Sequence, residues 1–196
     1  MTRIDNFADR LREQLGIPDD LRPDALDVLR RMKISKVISD YAEDPEAVGR
    51  DARWDADNRV IYLSTALWNA VLDGNDYDAR FTVLHEVGHA VLGHTHRNRL
   101  TAGKRQFGRF VEADESDADQ FALAFAIPLK FAALASTSGI ASLADQFGLP
   151  QAQTSRRVVD LQRDLRVSRR QTTEHDIDNY TDAMRAMRIN AINWNS

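Results

Sequence analysis

The residues best suited to chemistry are two histidines and a glutamate in a His-Glu-x-x-His pattern, at His85, Glu86 and His89. Apolar residues recur around them at helical spacing, at Leu84, Val87, Gly88, Val91 and Leu92. The segment is therefore predicted to be a helix that is buried along one side. Because residues four apart on a helix lie one above the other, both imidazoles could bind one zinc ion, and Glu86 could polarise its water. The alternative is two histidines hydrogen-bonded in a helical core.

A catalytic zinc ion needs a third protein ligand, and Glu115 is the leading candidate. It lies on the apolar face of a helix predicted to begin at Val111, a face shared with Ala118, Ala122 and Phe125. A carboxylate there needs a compensating charge, which an ion provides. Asp119, one turn further, could orient a ligating histidine through its distal nitrogen. Two alternatives are that Glu112, at the margin of the face, is the ligand, or that Glu115 pairs with a buried arginine.

A third histidine ligand just past the first helix fits the spacing poorly. Zinc peptidases of the metzincin type have glycine three residues and histidine six residues after the second histidine. In this chain those positions are leucine and threonine, and the glycine and histidine come one residue late. His94 and His96 are therefore expected to be loop residues, one of which could assist catalysis. Together with Tyr62, they are candidates for stabilising the oxyanion of the transition state.

Composition restricts the class of protein. The chain has 196 residues, of which 43% are hydrophobic and 29% charged, so it is predicted to form one domain, or one domain with a small appendage. The net charge of −4 gives no general attraction to nucleic acid or anionic membranes. With no cysteine, any zinc site must use histidine and carboxylate ligands. The N-terminus lacks a signal-peptide core and no apolar run is long enough to cross a bilayer, which favours a cytoplasmic protein.

The elements that must position these residues are mostly helices. Periodicity and turn residues predict, in chain order, a helix over residues 4–15, a helix from about Pro23, a strand over 33–39, a hairpin with strands at 50–55 and 59–64, a short helix over 65–72, and a basic loop over 94–110. The strand from Arg59 to Ser64 comes shortly before the His-Glu-x-x-His helix. We expect it to be a sheet edge to which an extended substrate pairs, with Ile61 and Tyr62 at the contact.

The C-terminal part contains two short predicted helices between residues 140 and 161, separated by a break at Gly148-Leu149-Pro150. The spacing indicates a helix-turn-helix, although the signal is weak. Arginines are dense between Arg156 and Arg170. Contact with duplex DNA is one interpretation of this region, but a solvated surface or a protein-docking surface is favoured. An amphipathic helix is predicted over residues 177–191.

Several runs of this sequence resemble the ImmA/IrrE metallopeptidases: Arg80-Phe81-Thr82-Val83-Leu84-His85-Glu86-Val87-Gly88-His89, Glu115-Ser116-Asp117-Ala118-Asp119-Gln120-Phe121-Ala122, Ile127-Pro128, Leu143-Ala144-Asp145-Gln146-Phe147-Gly148-Leu149 and Arg157-Val158-Val159-Asp160-Leu161. The resemblance covers residues 60–161 and is strongest around the candidate site. Aspartate at position 119 fits, since the family has Asn or Asp there. The arginine-rich stretch and the tail beyond residue 165 depart from the family pattern.

The resemblance implies an α+β fold: a mostly helical, zincin-like metallopeptidase core of the gluzincin kind with a small antiparallel or mixed sheet, followed by a helix-turn-helix-like segment. We expect the core over residues 1–136 and the helical C-terminal segment over residues 137–196. The resemblance also implies zinc-dependent cleavage, in the cytoplasm, of a specific protein. In this family the substrate is usually a helix-turn-helix repressor in a stress response or in the induction of a mobile element.

On this interpretation His85, His89 and Glu115 hold one catalytic Zn²⁺ ion, and Glu86 takes a proton from water and passes it to the leaving amine. Asp119 orients a histidine ligand from behind. Two hypotheses from other classes remain: a regulatory protein that binds DNA or protein and keeps a structural zinc site, or one component of a toxin–antitoxin pair. Glu86 favours the enzyme, because a structural site needs no base beside its ligands.

Overall fold

The computed structural model of the chain describes residues 2–47, 49, 51–95 and 107–165. The helices are α1 (Arg3–Gln14), α2 (Ala25–Ile34), α3 (Thr65–Asp73), α4 (Tyr77–Leu92), α5 (Phe107–Ala126), α6 (Ala132–Thr137), α7 (Ile140–Phe147) and α8 (residues 151–165). A short 3-10 turn spans Leu129–Phe131, and the strands are β1 (Asp40–Asp44), β2 (Ala52–Asp55) and β3 (Val60–Ser64). The predicted α+β class, mostly helical with a small mixed sheet, is confirmed.

Short polar side chains begin several of these helices. Thr2 and Asp5 form a reciprocal capping box on α1, with Asp5 N–H donating to Thr2 Oγ1 at 3.1 Å and Thr2 N–H to Asp5 Oδ2 at 2.9 Å. Ser64 and Asp76 accept from the first turns of α3 and α4 in the same way. The start of the His-Glu-x-x-His helix is therefore fixed by a local signal at Asp76.

The predicted strand over residues 33–39 is wrong. Helix α2 runs through Ile34, and its last carbonyls accept the backbone N–H groups that follow, from Ser35 to Arg31 at 2.8 Å and from Val37 to Met32 at 2.9 Å. These N–H groups cannot then join a strand ladder. Lys36 has a positive φ of 58°, so the chain turns sharply before β1 begins at Asp40.

The sheet has the order β1-β3-β2. Strand β3 pairs in parallel with β1 and antiparallel with β2, in the register Trp54↔Ile61, so the predicted hairpin is present. The prediction that the strand from Arg59 to Ser64 is an edge is wrong, because β3 has a partner on both sides. Ile61 is fully buried, and Tyr62 lies on the other face under the Arg53 guanidinium, 4.3 Å from its ring centroid. Pairing a substrate at these two residues is therefore excluded.

Helix α5 lies between α4 on one side and α1 on the other, while β2 packs on α4. It begins at Phe107, four residues earlier than predicted. At the far end of the chain, α7 ends at Gly148, which has a left-handed φ of 62°, and α8 starts three residues later. The predicted pair of short helices with a break between them is therefore present. The predicted tail helix and most of the basic loop lie outside the described residues.

Three buried arginines join distant segments of the chain. Arg12 donates to the carbonyls of Phe125 at 2.8 Å and of Asp20. Arg80 donates to the carbonyls of Pro23 at 3.1 Å and Gly148 at 3.4 Å. Arg157 donates to the Ile127 carbonyl at 2.9 Å and to the Asp5 carboxylate at 2.7 Å. Each guanidinium thus satisfies carbonyls at the ends of helices or in loops, which fixes those ends relative to one another.

The chain divides into two compact units, Met1–Val158 and Val159–Ser196. The first contains the sheet and α1 to α7; in the second, the described residues 159–165 are helical. The functional boundary after residue 136 stays a prediction. Within the described residues, no single helix is long and apolar enough to cross a membrane, and only the bent pair Val111–Ala126 and Leu129–Ala135 passes by length and composition.

Candidate metal centre

The candidate site lies where α4 crosses α5, and a glycine makes the crossing close. A Cβ atom on Gly88 would lie 2.9 Å from the Ala118 carbonyl oxygen and 3.2 Å from Phe121 Cβ. Backbone atoms cannot yield to such a contact at low cost, so the two helices can approach this closely only because residue 88 has no side chain. The close approach brings Glu115 on α5 opposite the histidines of α4.

Three ligand atoms converge at this crossing. His85 Nε2 lies 3.0 Å from His89 Nε2 and 3.1 Å from Glu115 Oε2, and His89 Nε2 lies 3.7 Å from the same carboxylate oxygen. The three residues form a group whose donor atoms all lie within 4.8 Å of one another. The structure therefore brings together the three metal ligands that the sequence predicts.

The hydrogen bonds around these atoms favour a cation between them. Asp119 Oδ1 lies 2.9 Å from His85 Nδ1, and an ionised carboxylate can only accept, so Nδ1 carries the proton. In the neutral ring, His85 Nε2 then presents a lone pair to a Glu115 oxygen and to His89 Nε2. Protons on the imidazoles can bridge these atoms only in pairs, in an arrangement that depends on the tautomer of each ring. A metal ion shared by two imidazoles and a carboxylate, a donor set known from catalytic zinc sites, satisfies all three.

Asp119 lies behind His85, as the sequence predicts, and it has a second partner. Arg156, on α8, donates to Asp119 Oδ2 at 3.1 Å. The hydrogen bond with His85 is the main cause that lowers the pKa of Asp119, and Arg156 adds to it against the effect of burial. Burial acts to lower the pKa of His85, but Asp119 and the neighbouring carboxylates outweigh it and raise that pKa above its usual value. Asp119 therefore stays ionised and fixes the orientation of the His85 ring.

Glu86 is buried beside the ligands but is not one of the converging three. Glu86 is only 7% exposed. Burial raises the pKa of its carboxyl group to about 7, and the charge of Glu115 acts in the same direction. The His85 charge and the backbone N–H of Trp54 act in the opposite direction. Its Oε2 atom has no hydrogen-bond partner among the described residues. A carboxyl group with these properties can take up and release a proton near neutral pH.

The two glutamates of α5 differ in their surroundings. Glu115 has a side chain that is 38% exposed and contacts both histidines, whereas Glu112 is exposed and belongs to no group of converging donors among the described residues. The carboxylate of Glu115 is thus less deeply buried than the apolar face of α5 indicates. The geometry nevertheless favours Glu115 over Glu112 as the third ligand.

Two residues near the site, Trp54 and Arg156, were not predicted to lie there, and His94 lies in a position that the sequence did not predict. His94 Nδ1 lies 2.9 Å from His89 Nδ1, on the side of that ring away from Glu115, so His94 is not placed to stabilise an oxyanion. Tyr62 lies on the face of the sheet opposite Trp54, and His96 lies outside the described residues. Only His94 had a local signal, because a glycine that ends a helix lets the next residue fold back onto the last turn.

Comparisons with known proteins show the fold and the family of the chain. Among solved structures, a Mycobacterium tuberculosis transcriptional regulator shares the fold with a TM-score of 0.51 and 17% identity, over 79% of this chain and 46% of that one. The chain thus spans less than half of that regulator. A search of curated protein sequences gives no match. The family model Peptidase_M78, described as the IrrE N-terminal-like domain, matches residues 41–171. Since this match covers most of the 196 residues, the chain belongs to the Peptidase_M78 family of metallopeptidases, as its resemblance to the ImmA/IrrE proteins indicated.

Proposed function

We propose that the chain is a cytoplasmic, zinc-dependent endopeptidase that cleaves a specific protein, such as a helix-turn-helix repressor, in a stress or mobile-element response. One observation carries the proposal: the possible ligand atoms of His85, His89 and Glu115 converge beside a buried carboxyl group, Glu86, whose Oε2 has no partner among the described residues. A purely structural metal site needs converging ligand atoms but no buried carboxyl group beside them. Membership of a metallopeptidase family supports the same conclusion.

In the proposed reaction, His85, His89 and Glu115 hold the ion. When bound, zinc supplies the Lewis acid that polarises the scissile carbonyl and makes the attacking water more acidic. Glu86 accepts the proton of that water at Oε2 and later donates it to the leaving amine, a double role suited to a pKa of about 7. The Trp54 N–H holds the Glu86 carboxyl group in place during both transfers.

Strand β2 is the better candidate for substrate pairing. Among the described strands it pairs only with β3, so no described strand covers its other edge, where the Trp54 N–H is taken by Glu86; the strand also packs on α4. The Trp54 N–H points from this strand to Glu86. An extended peptide paired along Ala52–Asp55 would therefore pass close to the proposed base.

The decisive experiment is Glu86→Gln. We expect the purified variant to keep close to one zinc ion per chain, because Glu86 is not a ligand, and to lose cleavage of a repressor co-expressed with it by at least about a hundredfold, the scale of general-base catalysis. Metal content and the cut band on a gel are the two measurements. Glu112→Gln, an exposed carboxylate on α5, is the matched control and should keep both. A Glu86→Gln chain that still cuts would overturn the assignment of the base.

The alternative is a regulator that binds DNA through the region from Arg156 to Arg170, supported by the two helices α7 and α8 with a tight break between them. In the described part of this region, however, Arg156, Arg157 and Arg163 each lie beside a carboxylate, of Asp119, Asp5 and Asp160 respectively. These carboxylates reduce the charge available for phosphate contacts. We therefore favour a protein substrate over duplex DNA as the partner.

A further inference from the structure

His94 is held in place by its backbone from two directions. Gly93 ends α4 with a left-handed φ of 73°, and the His94 N–H then donates to the His89 carbonyl at 3.0 Å. The indole N–H of Trp54, from strand β2, donates to the His94 carbonyl at 3.1 Å. The His94 side chain is only 10% exposed. Its position is thus fixed by the end of the helix and by the sheet.

The imidazole of His94 contacts the back of a predicted ligand. Its Nδ1 lies 2.9 Å from His89 Nδ1, and its Nε2 faces Asp114 Oδ1 at 3.6 Å. A hydrogen bond between two ring nitrogens uses one proton, which belongs to one ring only. If His89 offers Nε2 to an ion, its own proton must be on Nδ1. His94 Nδ1 is then the acceptor, and neutral His94 carries its proton on Nε2, facing the Asp114 carboxylate.

From this geometry we infer that His94 is a positioning residue that holds His89 in the tautomer protonated at Nδ1, with Nε2 free to bind the ion. The inference rests on the proposed function, since it concerns the same site. His94 cannot bind the same ion, because it contacts the ring nitrogen of His89 that points away from Glu115. The same arrangement occurs at His85, whose Nδ1 lies 2.9 Å from Asp119. Each histidine ligand thus has an acceptor behind it, a carboxylate for His85 and a neutral imidazole for His89.

The test compares two variants of similar shape, His94→Leu and His94→Asn. The asparagine carbonyl can take the place of Nδ1 as an acceptor, whereas leucine cannot accept a hydrogen bond. In the full-length, metal-free chain titrated with zinc against a chelator, we expect His94→Leu to bind zinc about tenfold or more weakly than wild type, the usual effect of losing a partner behind a ligand. The zinc affinity of His94→Asn should stay within about threefold of the wild-type value in the same titration. Thr95→Val, an exposed neighbour, is the control.

Nitrogen NMR of the imidazole rings supplies a readout that packing alone would not change. In the metal-free wild type and in His94→Asn, the His89 proton should lie on Nδ1; in His94→Leu it should move at least partly to Nε2. Equal zinc affinity in His94→Leu and Thr95→Val would overturn the inference. So would an asparagine variant that binds zinc as weakly as the leucine variant. If the leucine variant does not fold, a wild-type His89 protonated on Nε2 overturns it instead. A wild type that binds zinc but cuts no protein would refute the peptidase and leave the role of His94 intact.

Discussion

Two regions of this molecule bring polar side chains together, and they do so in different ways. In the scaffold, Arg12, Arg80 and Arg157 donate to carbonyls or to a carboxylate of the same chain. At the crossing of α4 and α5, the ligand atoms of His85, His89 and Glu115 face one another, with His85 Nε2 3.0 Å from His89 Nε2 and 3.1 Å from Glu115 Oε2. Even the one scaffold atom without a partner among the described residues, Arg12 Nε, belongs to a group whose other nitrogens are bonded.

The buried arginines are expected to contribute to the stability of the fold, and the crossing of α4 and α5 to metal binding. A buried donor matched by acceptors of the same chain stabilises the fold without a ligand, whereas three converging ligand atoms of the kind that zinc takes can be satisfied together by one cation. Removing a group from the first region should therefore destabilise the protein. Removing one from the second should weaken metal binding and change the stability of the metal-free fold much less.

The largest effect is expected for Arg157→Met, which tests whether a buried arginine stabilises the fold. The change leaves the Asp5 carboxylate buried without its charge partner and the Ile127 carbonyl without its donor. We expect the free energy of unfolding to fall by about 3 to 5 kcal/mol in urea titrations. Arg163→Met is the matched control: its side chain is 68% exposed beside Asp160, and it should cost less than about 1 kcal/mol. Similar losses in the two variants would contradict the structural role of Arg157.

Glu115→Ala tests whether the crossing of α4 and α5 binds metal. Zinc affinity should fall by about a hundredfold or more, since one of three protein ligands is lost. Cleavage should disappear with the metal. Glu112→Ala should retain both, because Glu112 is exposed and belongs to no converging group among the described residues.

The metal-free protein adds an independent measurement for the same pair. Unfolding of metal-free Glu115→Ala in urea should need nearly as much denaturant as wild type, because the Glu115 side chain is 38% exposed and a partly exposed ion pair with His85 contributes little to stability. A clear loss of stability would show that Glu115 belongs to the scaffold. If Glu112→Ala lost the zinc instead, the ligand would be Glu112, and Asp119 would lose the role given to it.

The smallest effect is expected in the pH dependence of the free energy of unfolding, to which Asp5 contributes. Burial by itself raises the pKa of Asp5, but the Arg157 charge and the hydrogen bonds from Thr2 and Arg157 outweigh it and hold the pKa below its usual value. A depressed carboxyl pKa contributes stability above the unfolded pKa of about 4, and that contribution is lost as the pH falls through the folded value. The free energy of unfolding should therefore fall less steeply between about pH 5 and pH 3 in Asp5→Asn than in wild type. Equal slopes would show that Asp5 does not carry the acid sensitivity.

The parts of the site that are local in sequence could be predicted. His85 and His89 share a face because they are one helical turn apart, and the same spacing relates Glu115 to Asp119. The apolar stripe of α5 also placed Glu115 on the side that meets α4. Each of these inferences needs only the geometry of a single helix. Their roles in metal binding and catalysis stay predictions until metal content and cleavage are measured.

The parts that depend on distant pairing could not be predicted. Strand β3 is central because β1, about twenty residues earlier, pairs with it in parallel, and no local pattern encodes that partner. The end of α2 was misjudged because its carbonyls capture N–H groups that alternation assigns to a strand. Trp54 reaches His94, and Arg156 reaches Asp119, across 40 and 37 residues of sequence. Such contacts exist only once the sheet and α8 are in place.

Gly88 carries no ligand atom, yet it would affect which ions the proposed centre accepts. The separation of α4 from α5 sets how far Glu115 stands from the two histidines, and the absent side chain at residue 88 sets that separation. A methyl group there would widen the gap between the donors. Small ions that need short bonds would then be bound less well than larger ones with longer bonds to oxygen, so the ionic radius that the centre prefers depends on a residue that never touches the ion.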